Sequence, residues 1–353
     1  MRIVHVLGTR PNFVKMAPVI AAMRDRGDEN VVVHTGQHYD RAMSDVFFEE
    51  LRVPEPDHML GVGSGSHSEQ TARVLERLEP VLEIERPDLV LVPGDVNSTL
   101  AAALCARRLG IPVGHVESGL RSFDRDMPEE INRVVADHLC ELLFLHSPEA
   151  IENLEAEGVA RERTHFVGNT MIDTLVALRE RFTDRAAAGR LGATPGEYLL
   201  VTLHRPALVD TPLLHDATAA LAKVAGEMQV VFPVHPRTRK MMGAAPPAGI
   251  SLVEPVGYLD FLSLEANAAA VLTDSGGIQE ETTFLGVPCF TLRDNTERPV
   301  TVRAGTNTLL GLDPARIREI PALLAGRGRQ SPQPPEKWDG HAASRIADVL
   351  ANW

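Results

Sequence analysis

Short apolar runs that end in turn residues alternate along this chain with longer stretches of helical periodicity. "RIVHVLG", "NVVVHTG", "DLVLVPGD", "IPVGHVES" and "ELLFLHS" read as strands of a first domain. "EYLLVTLH", "MQVVFPVHP", "ISLVEPV", "AVLTDSGG" and "VPCFTLRD" read as strands of a second, with helices such as "TPLLHDATAALAKVAG" between them. Strand followed by helix, repeated, implies parallel sheets covered on both faces. The helical, Arg-rich stretch "MIDTLVALRERFTDRAAAGRLGATPGE" connects the two series. The Pro- and Gly-rich "GRGRQSPQPPEKWDG" reads as a loop, and the terminal "HAASRIADVLANW" as an amphipathic helix returning to the first domain. The expected fold class is α/β, with two doubly wound parallel-sheet, Rossmann-like domains. Their expected limits are residues 1–170, joined by a C-terminal helix at 341–353, and residues 171–340.

Composition narrows the function. A chain of 353 residues with 44% hydrophobic content can bury two cores. Its formal net charge of −13 predicts no nucleic-acid and no membrane partner, because either would need a basic field. Anionic small ligands remain possible where cations cluster locally. Cys105, Cys140 and Cys289 are widely spaced in apolar surroundings with no CxxC pair, and read as buried thiols rather than a zinc or redox site. "MRIVHVLGTRP" lacks the pattern of a signal peptide and no apolar run approaches the ~20 residues of a membrane span, so a cytoplasmic protein is expected.

In open parallel sheets ligands bind beyond the carboxyl ends of the strands. "GTRPNFVK", Gly94 with Asp95, Glu117, His204 with Arg205, and "SGGIQEE" all follow directly on apolar runs. The span "HVESGLRSFDRDMPEEINR" is dense in carboxylates, and this position makes it more than a solvated surface. In "DSGGIQEE" the small Ser275, Gly276 and Gly277 open a helix, where backbone N–H groups can approach a diphosphate, and Glu281 could take a ribose diol. An ordinary tight turn would look the same. Arg10 and Lys15 bracket the first helix as two cations, and Pro18 is expected to kink it. Asp95 could instead cap the helix after it. Pro128 favours a helix start at "PEEINR", where Arg133, four residues after Glu129, could orient that carboxylate or a phosphate. His115 and His235 are expected to make structural hydrogen bonds.

Nine segments in order, "GTRPNFVKMAPV", "TGQHYD", "GDVNSTLA", "HVESGLRS", "MPEEINR", "VTLHRP", "PVHPRTRK", "TDSGGIQEE" and "RDNTERP", resemble the non-hydrolysing UDP-N-acetylglucosamine 2-epimerases. The resemblance implies a glycosyltransferase-B-like architecture with a cleft between the domains, the second of which binds UDP. It implies inversion at C2 of UDP-N-acetylglucosamine by elimination of UDP and re-addition to a 2-acetamidoglucal. It implies no cofactor, neither nicotinamide nor metal, and a UDP-sugar substrate handled by a homodimer. Asp95, Glu117 and Glu129 match the family's catalytic carboxylates and His204 its catalytic histidine. Arg10, Lys15 and Arg133 would lie near the phosphates. Ser275, Gly276, Gly277, Glu281 and Arg298 would hold UDP, and Tyr258 and Phe261 would flank uracil, although aromatic residues at helical spacing are more often core.

The chain also departs from that pattern. Ala207 and Leu208 stand after "HRP" where the family usually carries Glu and Asn, removing polar groups beside His204. "TGQHYD" keeps Gln37 and His38 of an allosteric UDP-sugar segment but adds Tyr39 and Asp40, with Arg73 a possible match for its arginine. An acidic Asp40 would repel a second diphosphate, so weak or absent substrate activation is expected. The alternatives are an epimerase of another UDP-sugar such as a UDP-2,3-diacetamido-glucuronate, a hydrolysing epimerase releasing free ManNAc and UDP, a glycosyltransferase of the same architecture, or a non-catalytic sugar-nucleotide binder.

Overall fold

The structure is a computed structural model that describes residues 1–36, 50–51, 53–234, 236–242, 249–326 and 333–353. Gln37, His38, Tyr39, Asp40 and His235 lie outside the described residues. The chain divides into two units, Met1–Ala177 with Glu336–Trp353, and Leu178–Pro335.

The first unit holds a seven-stranded sheet in the order β3-β2-β1-β4-β5-β6-β7, every described pair parallel. Its strands are β1 (Arg2–Leu7), β2 (Glu29–His34), β3 (His58–Met59), β4 (Leu89–Pro93), β5 (Val113–Ser118), β6 (Leu142–Leu145) and β7 (Thr164–Phe166). Strand order reverses between β1 and β4, the switch point at which doubly wound sheets open a crevice. The second unit holds six parallel strands in the order β10-β9-β8-β11-β12-β13, and its switch point falls between β8 and β11. These strands are β8 (Tyr198–Thr202), β9 (Gln229–Pro233), β10 (Ile250–Val253), β11 (Ala270–Thr273), β12 (Cys289–Thr291) and β13 (Asn307–Leu309). Each unit is thus a doubly wound parallel sheet, as expected.

Three strands had no counterpart in the apolar pattern: β3, β7 and β13, of two or three residues each. All three lie at the ends of their sheets, as described, and are too short to show a period of their own. Central strands are legible because both faces are buried. Val4, Val6, Val90, Val92, Leu143 and Leu145 pack with helix residues Leu78, Ala102 and Leu154 in one core. Leu199, Val201, Val230, Phe232, Leu272 and Phe290 pack with Ala217 and Leu221 in another. Cys105, Cys140 and Cys289 are free and buried, as read. No helix among the described residues is long and apolar enough to cross a membrane.

The first helix, Arg10–Asp25, runs unbroken through Pro18. Proline lacks the N–H that would bond the carbonyl four residues back, at Val14. The Thr174 hydroxyl, from helix Thr170–Ala177, supplies the missing donor to Val14 O at 2.6 Å. Thr174→Val should therefore keep the shape but leave a buried carbonyl unpaired, lowering unfolding free energy by about 1–3 kcal/mol in urea titration. Asp173 of the same helix accepts from the backbone N–H of Ala342 (3.1 Å) and Ala343 (2.7 Å), so it caps the terminal helix Ala342–Ala351. Those bonds tie Thr170–Ala177 and the terminal helix to the first unit.

Candidate active site

At the first switch point the strand ends deliver opposite charges to one another. Lys15, in the second turn of the first helix, reaches Glu117 at the end of β5, with Nζ 2.6 Å from Oε2 and both side chains buried. Gly94, with φ of 64°, makes room for it, because a Cβ there would stand 3.1 Å from Lys15 Nζ. Glu117 itself has φ of 69°. For a residue with a side chain that left-handed backbone costs on the order of 1–3 kcal/mol, and such strain persists only where neighbours over-determine it. The β5–β6 register shifts between Val116 and Ser118, so Glu117 occupies the irregularity that turns its side chain out of the ladder.

Asp95 follows β4 after Gly94. It does not cap the next helix, Asn97–Arg108, whose cap residue is Val96 and has no side-chain bond. Instead its carboxylate pairs with the buried Arg133, and Asn132 Nδ2 donates to its backbone carbonyl at 2.9 Å. Helix Pro128–Leu139 begins at Pro128 as the spacing predicts, but Arg133 pairs with Glu130 (2.7 Å) and Asp95 rather than with Glu129. Burial explains the correction. Glu130 is buried and accepts from the N–H groups of Ser122 and Phe123 and from the Ser122 hydroxyl, each at 2.9 Å, so its charge requires the guanidinium. Glu129, beside it, is half-buried. Arg10, at the first helical position, is half-buried and makes no ion pair with a described residue.

His115 makes the structural bonds expected of it, to Asp137 Oδ1 through Nδ1 (2.7 Å) and to the Gly94 carbonyl through Nε2 (2.6 Å). Burial alone would raise the Asp137 carboxyl. The hydrogen bond and charge of His115, then those of Arg121, overcome that and hold it below the usual carboxylate range.

The second unit repeats this arrangement at its own switch point. His204 follows β8 and Asp274 follows β11, and His204 Nδ1 lies 2.9 Å from Asp274 Oδ1. The histidine side chain is 58% exposed and the aspartate 1%, so the pair presents an imidazole to solvent from a buried carboxylate. Asp274 Oδ2 also accepts from the backbone N–H of His204 (2.9 Å) and Arg205 (2.8 Å). Burial raises this carboxyl, but the His204 bond and charge and the two N–H groups together bring it below its ordinary value. Asp274 lay within a recognised motif, yet its partner is seventy residues away and only the β8–β11 pairing reveals it.

Helix Gly276–Leu285 opens directly after Ser275, whose hydroxyl makes no capping bond. A Cβ at Gly276 would come within 2.5 Å of Arg298 Nη1, so the glycine admits a buried guanidinium against the helix start. Arg298 bonds Glu280 (2.7 Å) and Glu297 (2.6 Å). N–H groups and a guanidinium thus meet at one helix start, with Gly277 next in line. Further along, Glu281 accepts from the Tyr258 hydroxyl at 2.7 Å and lies beside the buried Glu265. Burial pushes both carboxyls up, and Glu265 further still through the charge of Glu281. Phe261 is half-buried and packs with the cluster that holds Tyr198, Leu200 and Leu264.

Leu208 is fully buried in the second core, which folds Pro206–Val209 into a helical turn and leaves Ala207 exposed. The departure after "HRP" thus anchors the segment through an apolar contact. Arg73 donates to the carbonyls of Val62 (3.1 Å) and Ser64 (3.0 Å). Among the described residues, no group of three or more His, Cys, Asp or Glu side chains could hold a metal ion.

A family model described as UDP-N-acetylglucosamine 2-epimerase matches residues 21–351. The UDP-N-acetylglucosamine 2-epimerase of Methanococcus maripaludis is 44% identical over 98% of this chain and 97% of its own. The UDP-2,3-diacetamido-2,3-dideoxy-D-glucuronate 2-epimerase of Pseudomonas aeruginosa is 39% identical over 99% of both. A crystal structure of the Methanocaldococcus jannaschii UDP-GlcNAc 2-epimerase in complex with UDP-GlcNAc and UDP superposes with a TM-score of 0.91 at 40% identity, covering all of both chains. Similarity that runs through both units, over nearly every strand end described above, means that the chain belongs to the UDP-N-acetylglucosamine 2-epimerase family.

Proposed function

We propose that the protein interconverts UDP-N-acetylglucosamine and UDP-N-acetylmannosamine without hydrolysis. In this reading a base takes the C2 proton as the C1–O bond breaks, giving 2-acetamidoglucal and UDP. UDP then re-adds at C1 while a proton is delivered to the opposite face of C2. The first unit supplies the proton transfers, through Asp95, Glu117 and Glu129, and the second holds the nucleotide. The Lys15–Glu117 pair carries this reading, because a buried lysine holds a strained strand-end carboxylate in place and aims it, as a general base requires. Lys15 is thereby engaged by a carboxylate, which leaves Arg10 as the cation of that helix for a phosphate, with Arg133 holding Asp95 in place.

In the second unit the Gly276 cradle with Ser275, Gly277 and Arg298 takes the diphosphate, and Glu281, steadied by Tyr258, takes the ribose diol. His204, oriented by Asp274, stabilises the departing phosphate. Asp274→Asn should lower kcat about a hundredfold or more, since the imidazole loses the group that sets its tautomer and charge. Because the native Asp274 carboxyl is depressed, its stabilising contribution is full above the unfolded carboxylate value and is lost as pH falls through the native one. The Asn variant should therefore unfold with a weaker acid dependence, checked by thermal melts from pH 3 to 7.

The Pseudomonas relative motivates a second substrate, the diacetamido-glucuronate. Proton NMR in deuterated water separates the readings. UDP-N-acetylmannosamine with deuterium at C2 and little free UDP supports the proposal, and stoichiometric free UDP would mean hydrolysis. Exchange seen with the glucuronate alone would reassign the substrate. The family resemblance further implies a homodimer, tested by sedimentation of the purified protein.

A further inference from the structure

We propose that His115 is a positioning residue, which with Asp137 fastens together the two turns that carry Asp95 and Glu117 and so sets the spacing of these carboxylates. The inference rests on the catalytic reading above. β4 and β5 pair in register only as far as Pro93 with Val116, and β5 is irregular from Val116 to Ser118. The ladder ends with the Gly94 N–H bonding the Val116 carbonyl at 2.9 Å, one residue before each carboxylate. His115 takes over there. Its Nε2 bonds the Gly94 carbonyl, adjacent to Asp95, at 2.6 Å, and its Nδ1 bonds Asp137 Oδ1 at 2.7 Å. The other oxygen, Asp137 Oδ2, accepts from the backbone N–H of Gly119, two residues after Glu117, at 3.1 Å. One buried chain of bonds thus runs from one turn to the other.

Each ring nitrogen thus bonds its own oxygen, Asp137 Oδ1 through one and the Gly94 carbonyl through the other. Asn or Gln has one donor group and cannot span the two acceptors along a ring's fixed axis. Asp137 keeps its place without the histidine. Arg121 bonds it at 2.8 Å and is itself clamped by Glu157 through two bonds of 2.7 Å. Gly119 is further held by Asn153, which donates to its carbonyl at 2.9 Å. Removing the His115 link should therefore loosen the relation of the turns without unfolding the unit.

The test compares His115→Gln and His115→Phe with wild type and with Thr174→Val, a buried change in the same unit that removes the bond to the Val14 carbonyl and serves as the stability reference. Expected for His115→Gln is a fall in kcat of about a hundredfold with UDP affinity by calorimetry unchanged, as displacement of catalytic groups by an ångström produces. His115→Phe should lose at least as much. If turnover falls only in proportion to melting temperature, as calibrated by Thr174→Val, or stays at the wild-type level in a folded variant, the proposal is overturned. Carbon-13 NMR titration of Asp95 and Glu117 reads the same link without turnover. Both titrations should move in His115→Gln, and unmoved titrations overturn the link. A wild-type protein that epimerises no UDP-sugar while those titrations do move would sink the catalytic reading and leave the positioning intact.

Discussion

Glu117→Gln is expected to lower kcat by about 10²-fold to 10⁴-fold, the range for a positioned acid or base. The substitution is nearly isosteric, and its amide oxygen can still accept from Lys15 at the position where Oε2 now lies 2.6 Å away. The backbone irregularity at residue 117 comes from β5 and its neighbour rather than from the carboxylate, so the fold should survive. What disappears is the basicity. UDP affinity, assigned to the second unit, should stay within a fewfold of wild type. The checks are initial rates by NMR, UDP calorimetry and loss of C2 deuterium incorporation. A variant that still incorporates deuterium at C2 at the wild-type rate would move the proton transfer to Asp95 or Glu129. Truncation to Ala is a poorer probe, because it leaves a buried ammonium unpaired and adds a stability loss of about 3–5 kcal/mol.

Trp338→Ala is expected to cost about 3–5 kcal/mol of unfolding free energy, the range for deleting a large buried aromatic side chain. Trp338 lies in the segment that reads as a Pro- and Gly-rich loop, yet it is 1% exposed and its Nε1 donates to the His146 carbonyl at 2.9 Å. The preceding Lys337 donates to the Phe166 carbonyl at 2.8 Å, and Arg345 donates to the Val167 carbonyl at 3.0 Å. The indole is thus the apolar plug in a seam of polar bonds that holds the returning chain against the end of β7. Without it the terminal helix keeps its cap at Asp173 but loses its anchor, so urea unfolding should shift and proteolysis should begin at the C-terminus. Trp338→Phe keeps most of the area and drops the Nε1 bond, and should cost about 1–2 kcal/mol. Equal losses for Phe and Ala would show that the indole bond, and not the burial, holds the segment.

Much of this protein was readable from consecutive residues. Apolar runs marked ten of the thirteen described strands, and Pro128 marked its helix start. Polar residues directly after strands marked Asp95, Glu117, His204 and the Ser275–Gly277 turn, because chain direction in a parallel sheet sends every strand end to one edge. Three short strands escaped for want of enough residues to show a period, and Trp338 escaped because a local window of Pro and Gly says nothing of what lies across the fold. Pairings were the main thing hidden. Helical spacing allows Arg133 to meet either Glu129 or Glu130, and burial of Glu130 against two backbone N–H groups decided it. Lys15 with Glu117, Asp274 with His204, and Thr174 with Val14 join residues 70 to 160 positions apart. Local pattern records which face of an element is apolar. Which charges meet is a property of strand order and burial, and only the tertiary structure decided that.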